Sequence, residues 1–546
     1  MESTPPPSPP HAPRRRVGPG HISAAVLIVA MAAGALVASR RANTAADLAA
    51  AAERLAAGDA GEASRVLVRH GGARARAGRA LAGALRGEPP ERCDCSAADL
   101  AFHRPLLVVE GAIRRGEPDG ALRVADLVAA SGEATAGVMR AAALVEVGRD
   151  DEARAALAAV PEPDRPAGPG REVARVLDLR AQGATCIVRD RRRRLAGTLD
   201  AAGAFRPEAS AAGLVPPAAA ADLAAAGRSP ALRLASDLVL SRLAQDALGG
   251  YRGSIVLLDL ARGDVLAAVS DARTAAEGGT PAFEQRREPA SIAKIVTAAA
   301  ALRAGLDPDA EIGRMSCEGF ARYGSGTLWC ASAGGRLRGL AHALAISCNV
   351  AFANLGLKVG EAALVEEFRR WRFDGGERGN GRIVQAPQGE LALAKMAVGL
   401  DATDITPLHA ARLAAVVAAG EMPSPVLVTA ADGALGLSPR ILPRPPATRI
   451  VDAPVAEILR HAMEAVTQPG GTAVGLAPVG FPVAMKTGTA SAPGVGYHVN
   501  YVGVGPLPHP TIAFCVRVTG QPTSVHVTSA AREVLAVLLE GLSRRR

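Results

Sequence analysis

Four lysines, Lys294, Lys358, Lys395 and Lys486, stand among the 62 basic residues of this 546-residue chain, and all lie in its second half. In a chain so biased towards arginine, a retained lysine marks a place that arginine cannot fill. Arginine stays protonated, whereas a buried lysine can lose its proton and serve as a base. Lys294 ends the segment Ser291-Ile292-Ala293-Lys294. Pro289 and the apolar run after it predict a helix beginning near Ser291. Residues three apart share a helix face, so the amine and the hydroxyl can meet. A serine hydroxyl is a poor nucleophile until a neighbouring base takes its proton. A desolvated Lys294 would be that base, each unit of lowered pKa costing about 1.4 kcal/mol.

Two further segments offer complementary groups. Ser347-Cys348-Asn349, predicted on a helix, carries a hydroxyl that can relay a proton and an amide that can hold a carbonyl. Lys486-Thr487-Gly488-Thr489 is predicted to end a strand running from Pro482. Its lysine and threonines present donors to a carboxylate, and Gly488 lets a ligand backbone lie along the strand edge. Lys358 and Lys395 read as exposed helix residues.

In this order the three segments resemble the S-x-x-K, S-x-N and K-T-G set of penicillin-binding proteins and related serine β-lactamases. The likeness covers about 229–546. It includes Ala345–Gly356, Val398-Gly399 through Thr406-Pro407-Leu408, Gly470-Gly471-Thr472-Ala473 and Asn500–Gly503. The resemblance implies a class B-like, monofunctional D,D-transpeptidase that crosslinks peptidoglycan and binds penicillin covalently. It implies that Ser291 attacks the D-Ala–D-Ala carbonyl of a stem peptide on a lipid-linked precursor, with Lys294 taking the proton. Ser347 would pass that proton to the leaving D-alanine, and Asn349 would position the stem. Lys486, Thr487, Gly488 and Thr489 would bind the terminal carboxylate. Backbone N–H groups of Ser291 and Thr489 would form the oxyanion hole. No cofactor and no metal is implied. A D,D-carboxypeptidase or β-lactamase would use water as acceptor, although no E-x-x-L-N segment is visible. A non-catalytic β-lactam sensor or scaffold is the alternative from another class.

The elements that must position these residues are legible around them. Residues 254–260 and 265–270 read as a hairpin of buried strands, and strands return at 480–489, 499–505 and 511–518. Helices fill much of 290–470, and a last helix runs over 527–543. The expected class is α+β, an antiparallel sheet with helices on both sides. Ser229-Pro230 predicts a helix over Ala231–Leu248. Residues 183–190 read as a strand, and Arg191–Arg194 as a solvated turn. Cys317 and Cys330 bracket a glycine-containing segment, a candidate disulfide-closed loop in an exported chain.

Upstream, residues 1–20 form a Pro/Arg-rich tail, and an uncharged apolar run from Ile22 to Ala38 follows. At about 1.5 Å per residue it spans roughly 26 Å. It reads as a membrane anchor over 21–39, with the tail in the cytoplasm and all beyond residue 41 outside a bacterial inner membrane. Residues 42–160 are helical in spacing, with Gly58, Gly116 and Gly148 each followed five residues later by alanine. This resembles a tetratricopeptide-type array, a surface for a glycosyltransferase or other cell-wall synthesis protein. Residues 161–228 read as a linker and small pedestal-like region. The net charge is +9, but 3% aromatic content and the lack of a binding motif exclude nucleic acid as partner. Scattered histidines and no paired C-x-x-C argue against a zinc site.

Overall fold

The computed structural model describes residues 41–88, 96–130, 135–161, 168–226, 229–273, 280–331, 333–376, 379–437, 439–492 and 494–545. The chain divides into two compact units, Met1–Ala174 and Arg175–Arg546. The predicted anchor at 21–39 lies outside the described residues. Among those described, no helix is long and apolar enough to cross a membrane.

Among the described residues the first unit is all helical. Residues 41–57, Ala60–Val68, Ala73–Arg86, Pro105–Arg114, Pro118–Ala130, Ala136–Glu146 and Asp150–Ala158 are its main helices. Neighbouring helices pack pairwise along the chain, burying Leu55, Leu67, Leu81, Val109, Val124 and Leu144. The recurring glycines end helices. Gly58, Gly87, Gly116 and Gly148 have φ of 91°, 75°, 77° and 79°, a region that a β-carbon disfavours.

The second unit contains the expected antiparallel sheet. In chain order its strands are β1 (Gly253–Asp259), β2 (Val265–Ser270), β3 (Ala484–Ala492), β4 (Gly496–Gly505) and β5 (Ile512–Gln521). Their spatial order is β3-β4-β5-β1-β2, with every neighbour antiparallel. Strands from the two ends of the unit therefore share one sheet. One face is covered by α1 (Leu238–Leu248) and α6 (Ser524–Ser543), which bury Leu248, Val534 and Leu538 with Ile255, Phe514 and Val516. The other face meets a larger core containing α2 (Lys294–Arg303), α3 (Leu340–Ala345), α4 (Asn349–Val359) and α5 (Pro407–Ala419). Alternate residues of each strand feed the two cores, as the pleat requires.

A second sheet has six strands, in the order Arg440–Ile441, Val428–Asp432, Ala231–Leu234, Cys186–Arg189, Leu195–Leu199 and Phe205–Pro207. It corrects the helix predicted from Ala231. Ala231–Leu234 is a strand, parallel to Cys186–Arg189 and antiparallel to Val428–Asp432. The helix starts only at Leu238, where the Asp237 side chain caps the N–H of Val239 at 2.9 Å. Proline after serine fits a strand's first residue as well as a helix's first turn, and here the sheet wins. Arg191–Arg194 forms the turn after the first strand of that sheet, and Arg192 pairs with Asp237 at 2.5 Å.

Candidate active site

Ser291 lies in a 3₁₀ turn, Ala290–Ala293, that feeds directly into α2. Ala290 has φ of 50°, a left-handed conformation unusual for alanine. Its N–H bonds the carbonyl of Gly399 at 3.0 Å. A β-carbon on Gly399 would come within 2.1 Å of the Ala290 carbonyl oxygen, so only glycine allows this approach. The Ser291 turn is thus held in a strained shape by the segment before α5.

Ser347 is not on a helix. It sits between α3 and α4 with φ of 57°. Cys348 caps α4, its sulfur accepting the N–H of Ala351 at 3.4 Å, and Asn349 is the first helical residue. The bend turns the Ser347 hydroxyl back towards α2.

Lys294 is fully buried and central. Its Nζ lies 2.9 Å from Ser291 Oγ, 3.2 Å from Ser347 Oγ, 2.7 Å from Ser347 O and 2.6 Å from Asn349 Oδ1. Burial brings its pKa down to about 7, opposed by electrostatic interaction with the nearby sulfurs of Cys348, Cys330 and Cys317. A neutral amine has two N–H groups and one lone pair. The two carbonyl-type oxygens of Ser347 and Asn349 take the donors, which leaves the lone pair for a hydroxyl.

Lys486 completes the centre from β3. Its Nζ donates to Ser347 Oγ at 3.0 Å and to the Thr487 carbonyl at 2.8 Å. Burial first, and then Lys294, drive its pKa well below the ordinary ammonium range. The Ser347 hydroxyl therefore bridges two amines, one beside Ser291 and one on the strand. The motif stands inside β3 rather than at its end, with Lys486 opposite Val502 and Gly488 opposite Asn500. β3 is an edge strand. Lys486 shares a face with Ala484, and its Nζ lies 3.5 Å from Thr487 Oγ1. Thr487 Oγ1 in turn meets Thr472 Oγ1 at 2.9 Å. Thr489 is exposed.

Gly488 has a use that the sequence reading did not give it. A β-carbon there would lie 2.7 Å from Pro289 O and 3.0 Å from Ile292 Cγ1. The glycine lets the strand come against the serine turn. Thr472 lies in the Gly-Gly-Thr-Ala segment, and its N–H holds the Ala345 carbonyl at 3.0 Å while its hydroxyl holds Thr487. Arg532 of α6 fixes this loop through the carbonyls of Thr472 and Val474. The Gly-Gly-Thr-Ala signal was present; its partner on β3 was not visible along the chain.

Lys358 and Lys395 lie apart from this centre, paired with Glu311 and Asp401. Cys317 and Cys330 are both free, with sulfurs 3.6 Å apart. A third thiol, Cys348, joins them; the three sulfurs lie within 4.8 Å of one another. The sequence reading gave Cys348 no role.

A serine turn, a buried amine of lowered pKa, a bridging hydroxyl and a second buried amine on a strand edge together suit nucleophilic acyl transfer. Comparison with known proteins agrees. Residues 253–538 match the penicillin binding protein transpeptidase domain family, and the chain belongs to that family. Among curated proteins it is 28% identical over 298 residues to peptidoglycan D,D-transpeptidase FtsI of Escherichia coli K12, covering 48% of this chain and 46% of that protein. The chain thus aligns with about half the length of the curated relatives it matches. The fold is similar to that of the D,D-transpeptidase domain of a peptidoglycan glycosyltransferase from Eggerthella lenta. That match has TM-score 0.56 and 22% identity, over 66% of this chain and 99% of the other. Penicillin binding protein 3 from Mycobacterium tuberculosis gives TM-score 0.55 and 21% identity, over 66% and 96% of the two chains.

Proposed function

We propose that this member of the penicillin binding protein transpeptidase family is a class B-type peptidoglycan D,D-transpeptidase. The observation that carries the reading is Lys294, an amine near neutral pKa in contact with both Ser291 and Ser347. Ser291 attacks the carbonyl between the two terminal D-alanines, and its proton passes to Lys294. Backbone N–H groups of Ser291 and Thr489 receive the developing oxyanion. Each such donor contributes about 10²–10³ in rate. The bridging Ser347 carries the proton to the leaving D-alanine, and Asn349 positions the stem peptide. Lys486, Thr487 and Thr489 hold the terminal carboxylate. A carboxylate beside Lys486 restores the charge that burial disfavours. The amine of a second stem then attacks the acyl-enzyme, forming the crosslink and freeing Ser291.

The protein is anchored by residues 21–39 in the inner membrane, with the short tail inside and the catalytic unit in the periplasm. The helical region at 42–160 acts as a tetratricopeptide-like docking surface for a glycosyltransferase or another cell-wall synthesis protein. Residues 161–228 lead from it to the catalytic domain at 229–546. The test is incubation with lipid-linked pentapeptide precursor and a glycan polymerase. Crosslinked dimers supports the transpeptidase reading. Release of D-alanine without dimers marks a carboxypeptidase. Penicillin turnover without either marks a β-lactamase, and no reaction with intact penicillin labelling marks a sensor.

A further inference from the structure

The hairpin Phe320–Tyr323 and Gly326–Trp329 brings its two flanks together. The N–H of Cys330 bonds the Gly319 carbonyl at 2.7 Å, and that of Gly334 bonds the Cys317 carbonyl at 2.9 Å. This sets Cys317 Sγ 3.6 Å from Cys330 Sγ. On its other side Cys330 Sγ is 3.8 Å from Cys348 Sγ, inside the Ser347-Cys348-Asn349 turn.

The three thiols are not equivalent. Cys317 and Cys348 are buried, whereas Cys330 is partly exposed. Cys330 also lies at the N-terminus of α4, where its sulfur accepts the N–H of Asn349 at 3.1 Å. The Cys348 thiol foremost, then the N–H of Val350, the Cys317 thiol and the Asn349 N–H hold the Cys330 pKa below the usual thiol range, against burial. Contact with Cys330 first, and then burial, push the Cys348 thiol up. Thiolate character with solvent access marks the sulfur that reacts first, and a neighbouring thiol resolves it. Cys330 has two such neighbours.

We propose that Cys330 is the shared centre of a three-thiol exchange site, bonded in the oxidised protein to Cys348 or to Cys317, and that the choice governs the Ser347–Asn349 turn. The oxidant is a small-molecule or protein disulfide. The Cys330 thiolate attacks one of its sulfurs and expels the other as a thiolate. Cys348, losing its proton, then attacks Cys330 Sγ and expels the bound half. Two protein thiols and one disulfide give one protein disulfide and two thiols. In the exchange step the Cys317 thiolate attacks Cys330 Sγ, the bond to Cys348 breaks, and Cys348 takes up the proton that Cys317 lost. Either bond, at about 2.05 Å, requires roughly 1.6 to 1.8 Å of closure from the reduced arrangement. Closing on Cys348 draws on the residue between Ser347 and Asn349, which Lys294 contacts; closing on Cys317 does not.

The thiol part stands independently of the transpeptidase reading; the link to acylation rests on it. Full-length protein is equilibrated in oxidised and reduced glutathione, acid-quenched and alkylated, and its disulfides are mapped by peptide mass spectrometry. The expected result is two alternative disulfides, Cys330–Cys348 and Cys330–Cys317, with one cysteine of the three alkylated in each chain. Cys317→Ser traps the first and Cys348→Ser the second. A Cys317–Cys348 bond, three alkylated thiols, or tightly held zinc that protects all three overturns the exchange site. In Cys317→Ser, labelled penicillin should acylate Ser291 about tenfold more slowly in the oxidised than in the reduced form, within the roughly hundredfold that a 1 Å misplacement costs. Equal rates overturn the link to the turn while leaving the thiol chemistry standing.

Discussion

Asn349 Oδ1 lies 2.6 Å from Lys294 Nζ, and the same side chain's Nδ2 donates to the Trp329 carbonyl at 2.6 Å. The amide is thus engaged at both ends. It orients the Lys294 amine and ties it to the hairpin beside the site. Asn349→Ala should slow acylation of Ser291 more than it weakens reversible binding of penicillin. Stopped-flow separation of the binding and acylation steps checks this; a loss confined to binding contradicts it.

A Lys294 base would make the reaction sensitive to pH. Lys294 must be neutral to take a proton, and its pKa is held to about 7. Below that value the neutral fraction falls about tenfold per pH unit. The acylation rate should therefore rise with pH through about 7 and level off above it, as seen in rates with a labelled penicillin. Lys294→Gln should acylate very slowly and lose this rise.

Thr472 should be a positioning residue for carboxylate binding. Thr472→Val removes its 2.9 Å bond to Thr487 Oγ1, a contact worth about 1 kcal/mol. Acylation efficiency should fall about fivefold, through weaker binding of carboxylate-bearing substrates. Thr472→Ser should restore it. An unchanged efficiency in the valine variant removes Thr472 from this role.

Gly488→Ala forces a β-carbon against Pro289 O, at 2.7 Å. Overpacking of this kind costs about 1–3 kcal/mol. The melting temperature should drop and acylation should fall further than stability alone explains, because the serine turn is what the new methyl displaces. Calorimetry and penicillin labelling on one preparation separate the two effects.

Deleting 42–160 while keeping 1–41 should leave penicillin labelling of Ser291 nearly intact. Every residue of the site described lies in the unit Arg175–Arg546. The same deletion should fail to complement a null strain. Loss of labelling in folded protein would place the helices within the catalytic unit.

The candidate site was legible in the sequence because it rests on side-chain types at short spacing: a serine three before a lysine, and a lysine and two threonines on a strand. The five-stranded sheet was legible from its apolar runs. Ala231–Leu234 was not, since its strand character comes from partners at Cys186–Arg189 and Val428–Asp432, one before it and one almost two hundred residues after. Nor was the Ser347 bend, because positive φ at a serine is imposed by surroundings rather than by propensity. The meeting of Cys317, Cys330 and Cys348 depends on a hairpin and a helix start converging, which spacing alone does not reveal. Thr472 and Thr487 are likewise joined only by the fold.

The sheet also has a history in time. β1 and β2 are made early, but β1 gains its other neighbour only when β5 arrives near the end of the chain. A chain delivered from its N-terminus must carry that apolar hairpin, open along one edge, while Ser291, α2 to α5, β3 and β4 emerge. Such an edge invites pairing with another chain. Completion of the last strand, Ile512–Gln521, is therefore the event that closes the edge, and a truncation before it would leave Ser291 present but its sheet unmade.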